Sequence, residues 1–350
     1  MGAVSGTGTL VAEAGDVNWL RADVALAAAA RRQAGQLARS ICLDEERVAR
    51  VELCVTEMAT NLLKHAEDGA IALRVVRDRD RAGVECLAVD NGPGIDDVRG
   101  ALRDGMSAAG SLGIGLGAIA RLADAFGVHS VRGRGTAVQA RFWTGDAPPD
   151  PGPVDVGGLT RPIGGEQVCG DTWAVRTATG DDPDVLLLLL CDGLGHGPLA
   201  ARAADRAREA FRDSAHSRPA AVLEDVHRAL RHTRGAAVAV ARVDAAARRV
   251  ELTGVGNTTA LVAFDDRRTG LLSLPGIVGS QLPRLRTFEA AYPPGAALIM
   301  HSDGLSDRWA PADFPGLVTH GPALIAAQVL SQAAVRRDDA GIVVATHRRG

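Results

Sequence analysis

The sequence predicts a two-domain protein of the α/β (α+β) class, a two-layer α/β sandwich followed by an α-β-β-α sandwich. The length of 350 residues calls for two cores at roughly 100 to 200 residues each. Residues 144–158, TGDAPPDPGPVDVGG, gather four prolines and four glycines between two regions of clear hydrophobic patterning, as an interdomain linker would. Each flank mixes segments of helical period with runs of strand-forming residues, the pattern of helices layered on sheets. The domains are therefore expected at residues 10–143 and 159–347, joined by 144–158.

In the first flank, residues 17–40 are rich in Ala, Leu and Arg at helical spacing. Asp44 opens a second helix, running to about His65, with Glu45 and Glu46 in the first turn, where carboxylates favour the helix dipole. The runs IALRVV from Ile71 and VECLAVD from Val84 read as a hairpin. A glycine-rich loop, a helix from about Gly115 to Phe126 and a final strand pair ending in GTAVQARFW complete the unit. In the second flank the strand candidates are TWAVRT, VLLLLLC, AAVAVARV, RRVELTGV, AALIMHS and GIVVAT. Helices are expected over residues 198–214, 219–231 and 322–334. Strands interrupted by a helix pair suggest two sheets with helices packed outside.

Composition excludes several classes of function. A net charge of -3 gives no electrostatic case for nucleic acid or an anionic membrane. The longest apolar stretch, residues 185–191, is too short to span a bilayer, and the N-terminus lacks a basic region followed by an apolar one, so a cytoplasmic protein is expected. Five cysteines without a CxxC pair read as reduced thiols, not a disulfide or zinc framework.

Three clusters in the first half could serve a nucleotide. In TEMATNLLKHA, Glu57 and Asn61 stand four apart on one helix face, able to position a nucleophile and a cation beside a phosphate, though such a pair is also ordinary polar surface. In VDNGPGI, Asp90 ends a strand before a turn made by Gly92, Pro93 and Gly94. A carboxylate there can accept from an adenine amino group, and the same residues also make a plain tight turn. GSLGIGLG, with Gly113, Gly115 and Gly117, leads into a helix and could wrap phosphates with backbone amides.

The order of these clusters, closed by Gly135 and Thr136, resembles the histidine-kinase-like ATPase fold. The stretch DGMSAAGSLGIGLGAIARLADAF is similar to the switch kinases and anti-sigma factors of bacterial partner-switching modules, of the RsbT type. The resemblance implies ATP with Mg2+ held by Asn61, Glu57 as base or water-positioning group, and Asp90 as the adenine reader. Gly92, Gly94, Gly113, Gly115, Gly117 and Thr136 would shape the nucleotide site. It further implies a Ser or Thr of a small STAS-domain antagonist protein as phosphoacceptor. His65, one turn past Asn61, reads as structural or capping, and no phosphorylated-histidine dimerisation helix is present, which sets aside a sensor histidine kinase.

In the second half acids recur at strand termini: Asp171 before TWAVRT, Asp192 after LLLLLC, Asp303 after ALIMHS, and Asp338 and Asp339 before GIVVAT. One Asp-Gly at a strand end is an ordinary turn. Several at one edge of packed sheets would repel one another unless cations neutralise them, and all-oxygen ligation favours Mg2+ or Mn2+ over zinc. The sequence shows no GxSxG or Cys-His signature of a covalent nucleophile in this half.

GGEQVCGD, CDGLGHG, GVGNTTA, HSDGLSDRW and DDAGIVV are similar, in order and spacing, to the metal-dependent serine/threonine phosphatases of the SpoIIE and RsbX branch. That resemblance implies two Mn2+ or Mg2+ ions bridged by Asp192 with the Gly193 carbonyl assisting. Asp303 and Asp338 would hold one ion, and Asp171 a water on the other. Gly341 stands where many relatives have threonine, which leaves Asp338 and Asp339 both open as the last ligand. His196 has two readings, a general acid near Asp192 or a structural turn residue.

The resemblances together imply opposing activities on STAS-domain anti-sigma antagonist or stressosome-type proteins, with a sigma factor or downstream regulator as a further partner. Two alternatives give the first domain a different task, as an ATP sensor beside the phosphatase or as an anti-sigma-like binding module.

Overall fold

The computed structural model describes residues 8–78, 81–103, 115–145, 152–164, 166–179, 184–335 and 338–349. The chain forms two compact units, Gly15–Asp150 with Ala327–Gln332, and Met1–Ala14 with Pro151–Ala326 and Ala333–Gly350. Strand β1 (Leu10–Glu13) lies in the second of these, so the start expected for the first domain at residue 10 moves to 15.

The first unit contains β2 (Asn18–Arg21), α1 (Leu26–Ser40), α2 (Glu45–His65), β3 (Ala70–Asp78), β4 (Arg81–Val89), α3 (Val98–Ala101), α4 (Leu116–Leu122), β5 (Ala125–Ser130) and β6 (Thr136–Trp143). Its five-stranded sheet runs β2-β3-β4-β6-β5 with antiparallel neighbours. Val51, Val55, Met58 and Leu62 of α2 recur at three and four residues and bury against Ile71, Leu73, Val84, Cys86 and Phe142 of the sheet. Asp44 caps α2, accepting from the Arg47 amide at 2.8 Å, as its position before two glutamates predicts.

Two expectations change here. Residues 18–21, read as helix, form an edge strand that hydrogen-bonds along β3 from Asn18↔Leu73 to Arg21↔Ala70. The helix expected to reach Phe126 ends at Leu122, because residues 125–130 pair with β6 from Ala125↔Arg141 to Ser130↔Thr136. In both places sheet pairing overrides a helical pattern.

Across three strands of this sheet Arg74, Glu85 and Arg141 stand in register. Glu85 is fully buried, accepts from Arg74 Nε at 2.7 Å and from Gln139 Nε2 at 2.7 Å, and also pairs with Arg141. The two guanidiniums and the amide outweigh the desolvation of the carboxylate and hold its pKa down at about 2.

The second unit continues with β7 (Val154–Arg161), β8 (Asp171–Thr177), β9 (Val185–Gly193), α5 (Pro198–Asp213), α6 (Pro219–Leu230), β10 (Ala236–Asp244), β11 (Arg249–Val255), β12 (Thr259–Phe264), β13 (Arg267–Leu271), β14 (Ser273–Leu274), β15 (Phe288–Ala291), β16 (Ala297–His301) and β17 (Ala340–His347); α7 (Pro322–Ala333) is divided, with Ala327–Gln332 grouped in the first unit. One sheet of seven strands runs β1-β8-β9-β10-β11-β14, with β15 also on β11; the other, of five, runs β13-β12-β16-β17-β7. Strand β7 falls partly within the expected linker, and its eight residues pair with all of β17, so the linker is shorter than 144–158.

The leucine run of β9 follows from its place in this sandwich. Leu186, Leu188 and Leu190 enter the core between the sheets with Leu298, Met300 and Val343. Leu187, Leu189 and Cys191 enter a second core with Ala203, Ala207 and Phe211 of α5 and Val226 of α6. A strand covered on both faces has no solvent side, so the usual alternation of apolar and polar residues disappears. All five cysteines are free; Cys42 is exposed, while Cys54, Cys86 and Cys191 are buried. No helix among the described residues is long and apolar enough to cross a membrane.

Candidate functional site

The strand-end acids of the second unit meet because of the sheet registers. Asp171 opens β8 and Asp192 nearly closes the antiparallel β9, which makes the two direct cross-strand partners. Asp303 follows β16 and Asp338 precedes β17, and these strands are antiparallel neighbours with His301 opposite Ile342. Gly304 lets the two chain segments touch, since a side chain there would collide with the Asp339 carbonyl. Gly193 has a similar steric need from another direction: a Cβ would stand 2.5 Å from the Ala200 carbonyl of α5.

Adjacent Asp338 and Asp339 have different surroundings. Asp339 is buried and both its oxygens are taken, Oδ1 by the Ile163 amide and Oδ2 by the Gly170 amide, each at 2.7 Å. It ties the ends of the 163–170 loop to β17. Asp338 is half-buried and accepts from the Asp339 amide at 2.9 Å. Of the two, Asp338 has the freer carboxylate.

Electrostatics express the crowding. Burial first, then the carboxylates of Asp339, Asp303 and Asp338, push Asp171 well above the usual carboxylate range, against a hydrogen bond from Ser302. Burial and then Asp171 and Asp303 push Asp192 up likewise; burial and Asp338 raise Asp303. The Asp192 and Asp303 carboxyls lie close enough to act on one another, which adds to the rise of Asp192. Oδ2 of Asp171 is buried with no hydrogen-bond partner among the described residues. Among those residues no set of three His, Cys, Asp or Glu side chains stands ready-made as a metal centre. The donor set is nevertheless all oxygen, mutually repulsive and holds an unmet buried acceptor, which fits hard divalent cations.

Three residues near these acids carry more than the motifs suggested. Asn257, in GVGNTTA, donates its amide to Asp303 Oδ2. Ser302, beside Asp303, receives the Gly341 amide at 2.9 Å, and its hydroxyl favours the ionised form of Asp171. His196 pairs through Nδ1 with Glu166 at 3.1 Å, linking the turn after Asp192 to the 163–170 loop. Each lies inside a quoted motif, but only the folded chain gives it a partner.

In the first unit, Glu57 and Asn61 are half-buried on α2, and burial raises the Glu57 carboxyl against the pull of Lys64. The end of α2 meets the loop after β4: the Asn91 amide donates to Glu67 O at 2.9 Å, and a Cβ on Gly92 would stand 3.0 Å from the His65 carbonyl. Asp90 accepts from the Gly92 amide at 2.7 Å, its own amide donates to Thr136 O at 3.0 Å, and burial raises it. The Thr136 hydroxyl meets Ser130 Oγ at 2.8 Å, and Ser130 takes the Ile95 amide, so Gly94 and its turn are pinned to the β5-β6 hairpin. Gly115 caps α4 and Gly117 is buried within it; Gly113 lies outside the described residues. The half-buried carboxyl of Asp90 at a sheet end, close to α2, fits the polar contact of a purine base.

Comparison with known proteins gives both units relatives. Residues 20–142 match the histidine kinase-like ATPase domain family. Over 115 residues the chain is 38% identical to the serine/threonine-protein kinase RsbT of Bacillus subtilis (strain 168), covering 33% of this chain and 86% of that one. The chain belongs to the RsbT family. The RsbT-type domain is joined to a second family: residues 182–347 match stage II sporulation protein E (SpoIIE). Phosphoserine phosphatase RsbX of Bacillus subtilis (strain 168) is 24% identical over 143 residues, 41% of this chain and 70% of that one. A solved chain described under "The bacterial stressosome: a modular system that has been adapted to control secondary messenger signaling" is 31% identical. It covers 55% of this chain and 98% of its own, with a TM-score of 0.50. The chain thus combines a kinase-like ATPase domain with a SpoIIE-type phosphatase domain.

Proposed function

We propose that the chain is a partner-switching enzyme whose SpoIIE-type domain removes phosphate from Ser or Thr of STAS-domain proteins and whose RsbT-type domain adds it from ATP. The convergence of Asp171, Asp192, Asp303 and Asp338 at one end of the sandwich carries the phosphatase half. Asp192 would be shared by two Mn2+ or Mg2+ ions with the Gly193 carbonyl, Asp303 and Asp338 would hold one, and Asp171 would serve the other. When bound, such cations polarise the phosphoryl group and acidify water.

The chain's own residues supply orientation. Asn257 fixes the Asp303 carboxylate, the Ser302 hydroxyl favours the charged form of Asp171, and Asp339 holds the 163–170 loop against the site. In the RsbT-type domain Asn61 would hold Mg2+ beside the ATP phosphates and Asp90 would read adenine, with Gly92, Gly94, Gly115, Gly117 and Thr136 shaping the pocket. Glu57 would take the acceptor hydroxyl proton, and burial raises its carboxyl in the direction that favours a base. Opposing charge changes on one class of substrate would set a cytoplasmic regulatory switch from both directions.

The test follows phosphate on a STAS-domain protein incubated with the full chain, ATP and Mn2+. Asp192→Ala should raise the phosphorylated fraction and Glu57→Ala should lower it. If Glu57→Ala changes nothing while ATP still binds, the ATPase domain is a sensor or binding module; if Asp192→Ala changes nothing, the phosphatase assignment fails.

A further inference from the structure

Beside the carboxylate site lies a recess of about 210 Å³ lined by Leu199, Arg202, His232, Thr233 and Arg234. Its walls come from both sides of the segment that follows Asp192. Leu199 and Arg202 belong to the first turns of α5, and residues 232–234 lead from α6 into β10, whose Ala236 and Ala237 pair with Gly193 and Asp192. The Leu194 amide donates to Gly235 O at 3.1 Å, and Nη1 of Arg234 lies 3.0 Å from where a Cβ on Gly195 would stand. The recess is thus continuous with the DGLGHG turn.

Its charge is uncommitted. Several arginines of this unit are engaged: Arg208 and Arg212 with Glu13, Arg228 with Asp225, Arg249 with Glu251 and Glu289. Arg202, His232 and Arg234 are exposed, and among the described residues none has a hydrogen bond or ion pair. Asp205, three residues beyond Arg202, is taken by Arg208 at 2.9 Å. The backbone under Arg234 is held, since the Thr233 hydroxyl donates to Leu230 O at 2.8 Å and accepts from the Gly235 amide at 3.0 Å. Leu199, 53% exposed, adds an apolar wall.

A phosphorylated residue bound at the carboxylate site would carry its flanking residues past this rim. Guanidiniums there pair geometrically with carboxylates and fix the register of a bound chain. We propose that this recess docks an acidic segment of the phosphoprotein substrate flanking the phosphorylated residue, with carboxylates on Arg202 and Arg234 and an aliphatic side chain on Leu199. The proposal rests on the phosphatase reading and names its substrate class.

The test uses the full chain with Mn2+ and two fluorescein-labelled peptides of equal length, each carrying a non-hydrolysable phosphonate in place of phosphoserine. One has Asp and Glu at the flanking positions and the other Asn and Gln. Anisotropy should show the acidic peptide binding about tenfold tighter, a preference that added salt weakens and that Arg202→Glu with Arg234→Glu abolishes. The milder pair Arg202→Ala and Arg234→Ala should lie between, and serves if the reversal variant melts early. Equal binding of the two peptides by the wild type, or an undiminished preference in the variants, overturns the proposal. Hydrolysis of p-nitrophenyl phosphate should be unchanged in the variants. Its absence from the wild type would defeat the phosphatase reading, while the binding comparison still decides the recess.

Discussion

Replacing Asp338 and Asp339 separately by alanine should give opposite results, although the two are adjacent in sequence and identical in type. Asp339→Ala removes two hydrogen bonds from backbone amides to an ionised acceptor, those of Ile163 and Gly170, each 2.7 Å long. At about 1.5 to 2 kcal/mol apiece the loss is about 3 to 4 kcal/mol. For a unit of roughly 200 residues, at about 2 to 4 °C per kcal/mol, the melting temperature should fall by about 6 to 16 °C. Asp338→Ala removes one acceptor, of the Asp339 amide, and should cost about 1 kcal/mol or less. Its effect should appear in cation affinity, weakened about tenfold or more. Scanning calorimetry of the full chain and titration calorimetry with Mn2+ separate the two outcomes. If Asp339→Ala melts within about 2 °C of wild type, or Asp338→Ala is equally destabilising, the division of labour between these acids is wrong.

Three further outcomes follow from the same reasoning. Glu85 is held at about 2, below its ordinary value near about 4.3, so its contribution is fully present above that value and is lost as pH falls toward 2. Glu85→Gln removes the carboxylate that Arg74 and Arg141 share, should cost about 3 kcal/mol, and should flatten the acid limb of a circular-dichroism titration below pH about 4; an unchanged limb contradicts the triad's role. Because burial and neighbouring acids raise Asp171 and Asp192, Mn2+ binding near neutral pH should release protons, visible as a buffer-dependent enthalpy in titration calorimetry; a buffer-independent enthalpy counts against a carboxylate site. Asn257→Ala should free Asp303 and weaken Mn2+ binding about tenfold with little change in melting temperature, and unaltered affinity would remove Asn257 from the site.

Much of this architecture is legible in the sequence where a local signal and the fold agree. The β9 run is apolar because both its faces are buried, and the acid at its end stands out against it. Asp44 and two glutamates mark the start of α2 because capping is local. Strands β1, β2 and β7 are different cases. The first pairs with β8 across some 160 residues of chain, the second is an edge strand of four residues, and the third rises within a proline- and glycine-rich stretch. Their structure comes from distant partners that no local window contains. The choice between Asp338 and Asp339 is invisible for the same reason, since the amides of Ile163 and Gly170 that occupy Asp339 lie about 170 residues away. Asn257 and Ser302 were inside recognisable motifs, yet their hydrogen bonds depend on which strand ends meet.

The most direct measurement is Mn2+-dependent release of phosphate from a phosphorylated STAS-domain protein by the full chain, with Asp192→Ala as control. The account predicts release by wild type, none in chelator, and none by Asp192→Ala while that variant keeps its melting temperature. Release by Asp192→Ala at the wild-type rate, or undiminished release in chelator, would contradict it.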